Sequence, residues 1–182
     1  CMAYLLQRTR VKGRKIPDFL ITLGSGGDTM NEGLSQKLSK FMKEHKIRYP
    51  LAQGYGMSEV SAAASFCVND IYKEYSVGIP SVATTISIFD PETGDELGYN
   101  QIGEICIAGP TLMKGYFNRN AETAHVMRYH TDGQVWVHSG DLGYMDEDGF
   151  LFFRGRKKNL IILSNGKNVY PEEIENELIA TP

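Results

Sequence analysis

The chain has 182 residues, 42% of them hydrophobic and 23% charged, with a formal net charge of −3. This is an ordinary globular composition, long enough to bury a core, and it excludes collagen, coiled coil and wholesale disorder. No apolar run reaches the ~20 residues of a bilayer-spanning helix, and the acidic balance argues against a nucleic-acid partner held through its phosphates.

The three cysteines, Cys1, Cys67 and Cys106, are far apart, and no Cys/His group has zinc spacing. A reducing, cytoplasmic setting is the expectation. The first residues lack the basic start and long apolar stretch of a signal peptide. The sequence opens on Cys1 and stops at Pro182 within or just after a helical pattern; both ends read as cuts in a longer chain.

In chain order, Phe19-Leu20-Ile21-Thr22-Leu23 is an apolar run ending in glycines, which predicts a buried strand. Thr29 and Glu32 have the spacing of a capping box. The helix they open has Leu34, Leu38, Phe41 and Met42 on one face and Lys37, Lys40, Lys43 and Glu44 on the other. Leu51-Ala52-Gln53 predicts a second strand, running through Gly54 into a helix over residues 58–66. Residues 1–74 thus read as an α/β portion.

Residues 75–154 read as a β-rich portion, a small antiparallel sheet or barrel. Residues 85–89 and 104–108 alternate on either side of a turn at Pro91-Glu92-Thr93-Gly94. Two further strands follow Asp132-Gly133 and Asp148-Gly149, and one helix is expected from residue 121 to about 129. From residue 155 the chain is basic, then apolar, then turns at Asn165-Gly166; Pro171, Glu172 and Glu173 suit a helix start.

Four segments have chemistry in them. Gly54-Tyr55-Gly56-Met57-Ser58-Glu59 combines a close-approach backbone, an aromatic face, a hydroxyl and a carboxylate suited to Mg²⁺; a tight turn with a solvated Glu would look the same. His138-Ser139-Gly140-Asp141 offers a carboxylate to paired ribose hydroxyls, although Asp is also common in turns. Gly155-Arg156-Lys157-Lys158 is a basic run at a change of composition. Gly24-Ser25-Gly26-Gly27-Asp28 is either a plain turn or the wall of a pocket at the carboxyl ends of strands; it is not a P-loop.

The order and spacing of these segments resemble the acyl-adenylate-forming superfamily of acyl- and aryl-CoA synthetases, peptide-synthetase adenylation domains and firefly luciferase. Gly54 to Glu59 is similar to the family's Y-G-x-[ST]-E motif. Gly103-Glu104-Ile105-Cys106-Ile107-Ala108-Gly109-Pro110, with Gly115-Tyr116-Phe117-Asn118, resembles its G-E-[IL]-x-[IV]-x-G-P…GY-x-N segment. Ser139-Gly140-Asp141 resembles T-G-D, with Ser for Thr; residues 155–175 resemble the hinge motif; Gly26-Gly27-Asp28 resembles G-G-A, with Asp for Ala.

The resemblance implies the C-terminal part of the large adenylation domain, as an α/β portion plus a barrel-like β subdomain, and the start of the small α+β domain from residue 155. It implies an ATP-dependent carboxylic acid–CoA ligase that uses ATP, Mg²⁺ and coenzyme A, with fatty acids the nearest acid class. By the same resemblance Tyr55 stacks on adenine and Gly54 lines the same pocket, while Gly26 and Gly27 are cofactor-binding glycines that flank the acyl pocket. Ser58 contacts phosphate, Glu59 binds Mg²⁺, and Asp141 and Arg156 hold the ribose. Lys158 is the hinge residue, and Gly166 faces the pantetheine of coenzyme A. The family's upstream phosphate loop and downstream catalytic lysine are not found, so the piece alone is expected to adenylate poorly. An adenylation domain that loads a carrier protein, or a non-catalytic nucleotide-binding relic, are the alternatives.

Overall fold

A computed structural model describes residues 20–27, 30, 32–165, 168–171, 174, 175 and 178. The first unit is a parallel β-α-β crossover. Strand β1 (Gly24–Gly26) lies beside β2 (Ala52–Met57), with Gly24 opposite Ala52 and Gly26 opposite Gly54. Helix α1 (Glu32–Glu44) connects them. Its i, i+4 pair Leu38 and Met42 is buried with Ile47 and Leu51, and Leu34 and Phe41 pack alongside. The expected face is the buried one, and Lys37, Lys40, Lys43 and Glu44 are exposed. Thr29 of the expected capping box lies outside the described residues.

Of the strand expected over residues 19–23, Phe19 lies outside the described residues, and residues 20–23 precede the strand rather than form it. The ladder forms at the glycines instead, and Leu20 and Leu23 serve as packing against the helix while Ile21 is exposed. The reason is clearance: a Cβ at Gly26 would stand 3.2 Å from the Gly54 carbonyl oxygen, so the glycines allow the close approach that a side chain would hinder.

The helix expected over residues 58–66 does not form. A single 3₁₀ turn (Ser58–Val60) is followed by left-handed Ser61 (φ 60°) and by β3 (Ala62–Phe66), which runs back antiparallel to β2. Helix propensity in the alanine run loses to burial. Ala64 and Ser65 are fully buried, and Ala64 packs in the core with Val60. A short strand β4 (Ile79–Pro80) completes the order β1-β2-β3-β4.

The second sheet is antiparallel: β5 (Thr85–Phe89), β6 (Gly103–Ala108), β7 (Met127–Tyr129), β8 (Val135–Met145) and β9 (Leu151–Arg156). Its path is β5-β6-β8-β7, with β9 also on β8. It is open, so the barrel-like expectation is corrected to a sheet. Every residue of β6 is buried, where half-exposed alternation was expected. Ile105 and Ile107 enter a core with Ile86, Ile88, Val60, Val137 and Leu151, while Cys106 and Ala108 pack on Phe89 and Trp136. Both faces of β6 are therefore covered.

Helix α2 (Asn120–Val126) is shorter than expected, because Met127 to Tyr129 leave it to pair with Val135 to Val137 across the Asp132-Gly133 turn. The two sheets are joined through the common core and by Val77 N–H to Leu151 O and Leu151 N–H to Gly78 O, both 2.8 Å. After β9 comes a 3₁₀ turn (Lys157–Asn159) and a small hairpin, β10 (Ile161–Ile162) with β11 (Asn168–Val169). Among the described residues no helix is long and apolar enough to cross a membrane.

Candidate functional site

Tyr55 lies in β2, where its neighbours in sequence are both glycines, and its ring packs against the core near Phe153 (centroids 6.3 Å apart). Its hydroxyl donates to Asp141 Oδ2 at 2.8 Å. Burial, and then the Asp141 carboxylate, push the phenol well above its ordinary range, so it remains a donor.

Asp141 is delivered by an irregularity in β8. Glu104 is opposite Leu142 and Cys106 is opposite His138, so Ser139, Gly140 and Asp141 together face the single residue Ile105. Gly140 takes φ 71°, which a side chain would resist. Ser139 Oγ donates to the Ile105 carbonyl at 2.7 Å and accepts the Asp141 N–H at 3.0 Å. The Asp141 side chain is 5% exposed, and Arg156 Nε sits 3.0 Å from its Oδ1. Asp141 and Arg156 are also Cα partners in the β8–β9 ladder. Arg156 is itself half in solvent, at 54%.

The structure thus brings Tyr55, Asp141 and Arg156 together from three strands. Gly54 is the sheet partner of Gly26 and adjoins Tyr55, which places these glycines on the neighbouring strands; Gly27 follows at φ 84°. Ser58 and Glu59 lie one turn beyond β2 in the 3₁₀ segment, Ser58 exposed and Glu59 half-buried. Glu59 Oε1 accepts the Tyr116 hydroxyl at 2.6 Å, and its carbonyl accepts the Met113 N–H at 2.7 Å. That hydrogen bond raises the Tyr116 phenol. Lys158 is exposed in the 3₁₀ turn after β9. Gly166 lies outside the described residues, as does Asp28.

Sequence reasoning missed the group behind Asp141. Glu104 is almost wholly buried. Its Oε1 accepts the Gly140 N–H at 3.1 Å, and its Oε2 accepts from His138 Nδ1 and Lys157 Nζ, each at 3.2 Å. Burial alone would raise this carboxyl; His138 and Lys157 outweigh it and hold the pKa at about 2. The ionised carboxylate can only accept, which assigns the hydrogen to His138 Nδ1. His138 Nε2 is 2.9 Å from His130 Nε2. The readable signal was a glutamate inside an otherwise apolar strand. Glu104, Cys106 and His138 also bring a carboxylate, a thiol and an imidazole within 4.8 Å, although sequence spacing gave no such group. The Lys157 ammonium already occupies the carboxylate there, and burial followed by the Glu104 charge pushes the Cys106 thiol up, away from thiolate.

Chemically, the arrangement offers an aromatic face, a buried carboxylate beside a guanidinium, and a second carboxylate with a hydroxyl next to it. Paired acceptors for a diol and hard oxygen donors for a small divalent cation are both present.

Comparison with known proteins places the chain in a family. The family described as AMP-binding enzyme matches residues 2–117. A long-chain-fatty-acid–CoA ligase of Bacillus subtilis is 44% identical over 131 residues, covering 70% of this chain and 22% of the relative. A probable 4-coumarate–CoA ligase of Dictyostelium discoideum is 39% identical over 150 residues, covering 82% and 26%. The solved O-succinylbenzoate coenzyme A synthetase of Bacillus subtilis, in complex with ATP and magnesium ion, superposes with a TM-score of 0.79 at 31% identity, over 100% of this chain and 35% of that one. The chain therefore spans roughly a quarter to a third of the length of these proteins. It belongs to the AMP-binding enzyme family, and its fold is that of a portion of an adenylate-forming enzyme.

Proposed function

We propose that the chain is part of an ATP-dependent carboxylic acid–CoA ligase, and that the acid is a fatty acid. The observation that carries the reading is the Tyr55–Asp141–Arg156 cluster, assembled from strands β2, β8 and β9. In this reading the Tyr55 ring takes the adenine face with Gly54 beside it, and Gly26 and Gly27, at the end of the adjoining strand, flank the acyl pocket. Asp141 accepts the ribose hydroxyls, with Arg156 reaching the same sugar. Ser58 hydrogen-bonds phosphate. Glu59 and the adjacent hydroxyl are hard oxygen donors that would hold Mg²⁺.

Two half-reactions follow. A carboxylate oxygen bonds to the α-phosphorus of ATP, the bond to the β-phosphate oxygen breaks, and pyrophosphate leaves. The thiol sulfur of coenzyme A then bonds to the acyl carbon, AMP leaves, and the thiol proton is released. Mg²⁺ held there would supply positive charge against the phosphates; this chain's own donors contribute orientation and fixed dipoles. Lys158 is assigned by the family likeness to the hinge before the small domain, and Gly166, which lies outside the described residues, to the coenzyme A side. Cytoplasmic location belongs to the same reading and is supported by the free thiols of Cys67 and Cys106.

The fatty-acid assignment is supported by relatives named long-chain-fatty-acid–CoA ligase in Bacillus subtilis and Salmonella typhimurium. An aromatic acid is the second reading, favoured by the likeness to 4-coumarate–CoA ligases and the O-succinylbenzoate synthetase. The test is acid-dependent ATP–pyrophosphate exchange by the ligase-length polypeptide containing residues 1–182, with thioester products identified by mass spectrometry. Exchange and thioester with C8–C18 acids support the proposal. Exchange with coumarate-like acids alone moves the substrate to the second reading, and no exchange with any acid rejects ligase function.

A further inference from the structure

We propose that Glu104 is a positioning residue of the nucleotide site, holding the Ser139-Gly140-Asp141 bulge and the start of the hinge in the one register where Asp141 and Arg156 meet. The inference rests on the nucleotide reading of that pair. Glu104 touches neither Asp141 nor Arg156 through the contacts above. It grips the residue before one and the residue after the other: Gly140 N–H on Oε1 and Lys157 Nζ on Oε2.

Three features make this more than a buried ion pair. The bulge presents three residues of β8 against one of β6, which leaves backbone groups that the sheet ladder does not pair. Ser139 satisfies the Ile105 carbonyl and Glu104 satisfies the Gly140 N–H. Without the carboxylate, the bulge keeps one of these two restraints, and Asp141 sits at its end. Lys157 is 40% exposed, so its own pairing would be weak if it were isolated; here it meets a carboxylate already fixed by two other donors. Finally, Lys157 stands between Arg156 and Lys158. A restraint on Lys157 therefore acts on the ribose-side arginine and on the hinge together.

The test uses the ligase-length polypeptide and AMP calorimetry, with ATP–pyrophosphate exchange run in parallel. Glu104→Gln keeps the shape and an acceptor for Gly140 but loses the charge. The expected result is an AMP affinity lower by roughly tenfold and a raised KM for ATP, with kcat for exchange within about threefold of wild type. Lys157→Met is expected to lose roughly threefold in AMP affinity, and Lys157→Arg to restore it. The double variant should bind no worse than Glu104→Gln alone, because both changes break the same restraint.

A lower melting temperature for Glu104→Gln, with unchanged AMP affinity and KM, would overturn the proposal and leave Glu104 a stabilising residue only. Additive losses in the double variant would overturn the shared restraint. If wild type shows no exchange with any acid but binds AMP, the ligase reading falls while the calorimetry still decides the role of Glu104. If wild type binds no AMP, both fall.

Discussion

The hydroxyl of Tyr55 donates to Asp141 across 86 residues of chain, at 2.8 Å, and the other oxygen of that carboxylate faces Arg156 at 3.0 Å. A residue from the first sheet is thereby fixed to two from the second. The aromatic face and the carboxylate are pre-set relative to each other, which reduces the ordering needed when a ligand arrives.

Removing only the Tyr55 hydroxyl should matter little to a nucleotide that uses the ring face. Tyr55→Phe is expected to lower AMP affinity by no more than about threefold, since Asp141 retains Arg156. Tyr55→Ala removes the ring and should cost about tenfold or more. Calorimetry on both variants checks the pair; equal losses would contradict a stacking role.

Glycine tolerance distinguishes the site scaffold from ordinary turns. A Cβ at Gly56 would stand 1.7 Å from the Ala62 carbonyl oxygen, inside the tight β2–β3 reversal. Gly56→Ala is expected to destabilise by about 3 kcal/mol or more, because backbone must move. Gly94 has φ 77° and nothing within 4 Å of its added Cβ, so Gly94→Ala should cost only about 1 kcal/mol. Urea unfolding of the two variants measures the difference.

Acid should weaken the fold through Glu104. Its folded pKa of about 2 lies below the ordinary 4.5. Its charged form therefore stabilises the fold fully above about pH 4.5, and the contribution is lost as pH falls toward 2. Asp90, Asp132 and Asp146 are also lowered, so the whole protein loses stability in acid. The Glu104 share is the part that Glu104→Gln removes. Melting temperatures from pH 3 to 7 should fall less steeply for that variant than for wild type.

Magnesium dependence should report on Glu59. Glu59→Gln removes a hard anionic donor, and the Mg²⁺ concentration for half-maximal exchange should rise roughly tenfold. Tyr116→Phe removes only the hydroxyl at Glu59 Oε1 and should shift it no more than about threefold. Magnesium titrations of exchange by the ligase-length polypeptide measure both.

The sequence was readable where period and burial agree. Leu34, Leu38, Phe41 and Met42 marked the buried face of α1, and the turns at Asp132-Gly133 and Asp148-Gly149 marked the hairpins. It misled where local propensity met a tertiary demand. Residues 62–66 look helical, yet Ala64 and Ser65 are small enough to pack a close strand reversal. Residues 19–23 look like a strand, yet the adjoining glycines form the ladder. Tyr55, Asp141 and Arg156 were each legible as candidates, and their mutual contact came only with the fold. Glu104, Lys157 and Tyr116 were invisible as partners, because their roles depend on long-range register: the two-residue surplus in β8, the approach of the 3₁₀ turn after β9 to Glu104, and the approach of Tyr116 to the 3₁₀ turn after β2.

The most direct test of the nucleotide site is AMP calorimetry on wild type and Asp141→Ala in the ligase-length polypeptide. Wild type should bind AMP, and the variant should bind it at least about tenfold more weakly, because the buried carboxylate proposed to accept the ribose hydroxyls is lost. Equal affinities in two folded proteins would contradict the ribose assignment and, with it, the role of the Tyr55–Asp141–Arg156 cluster.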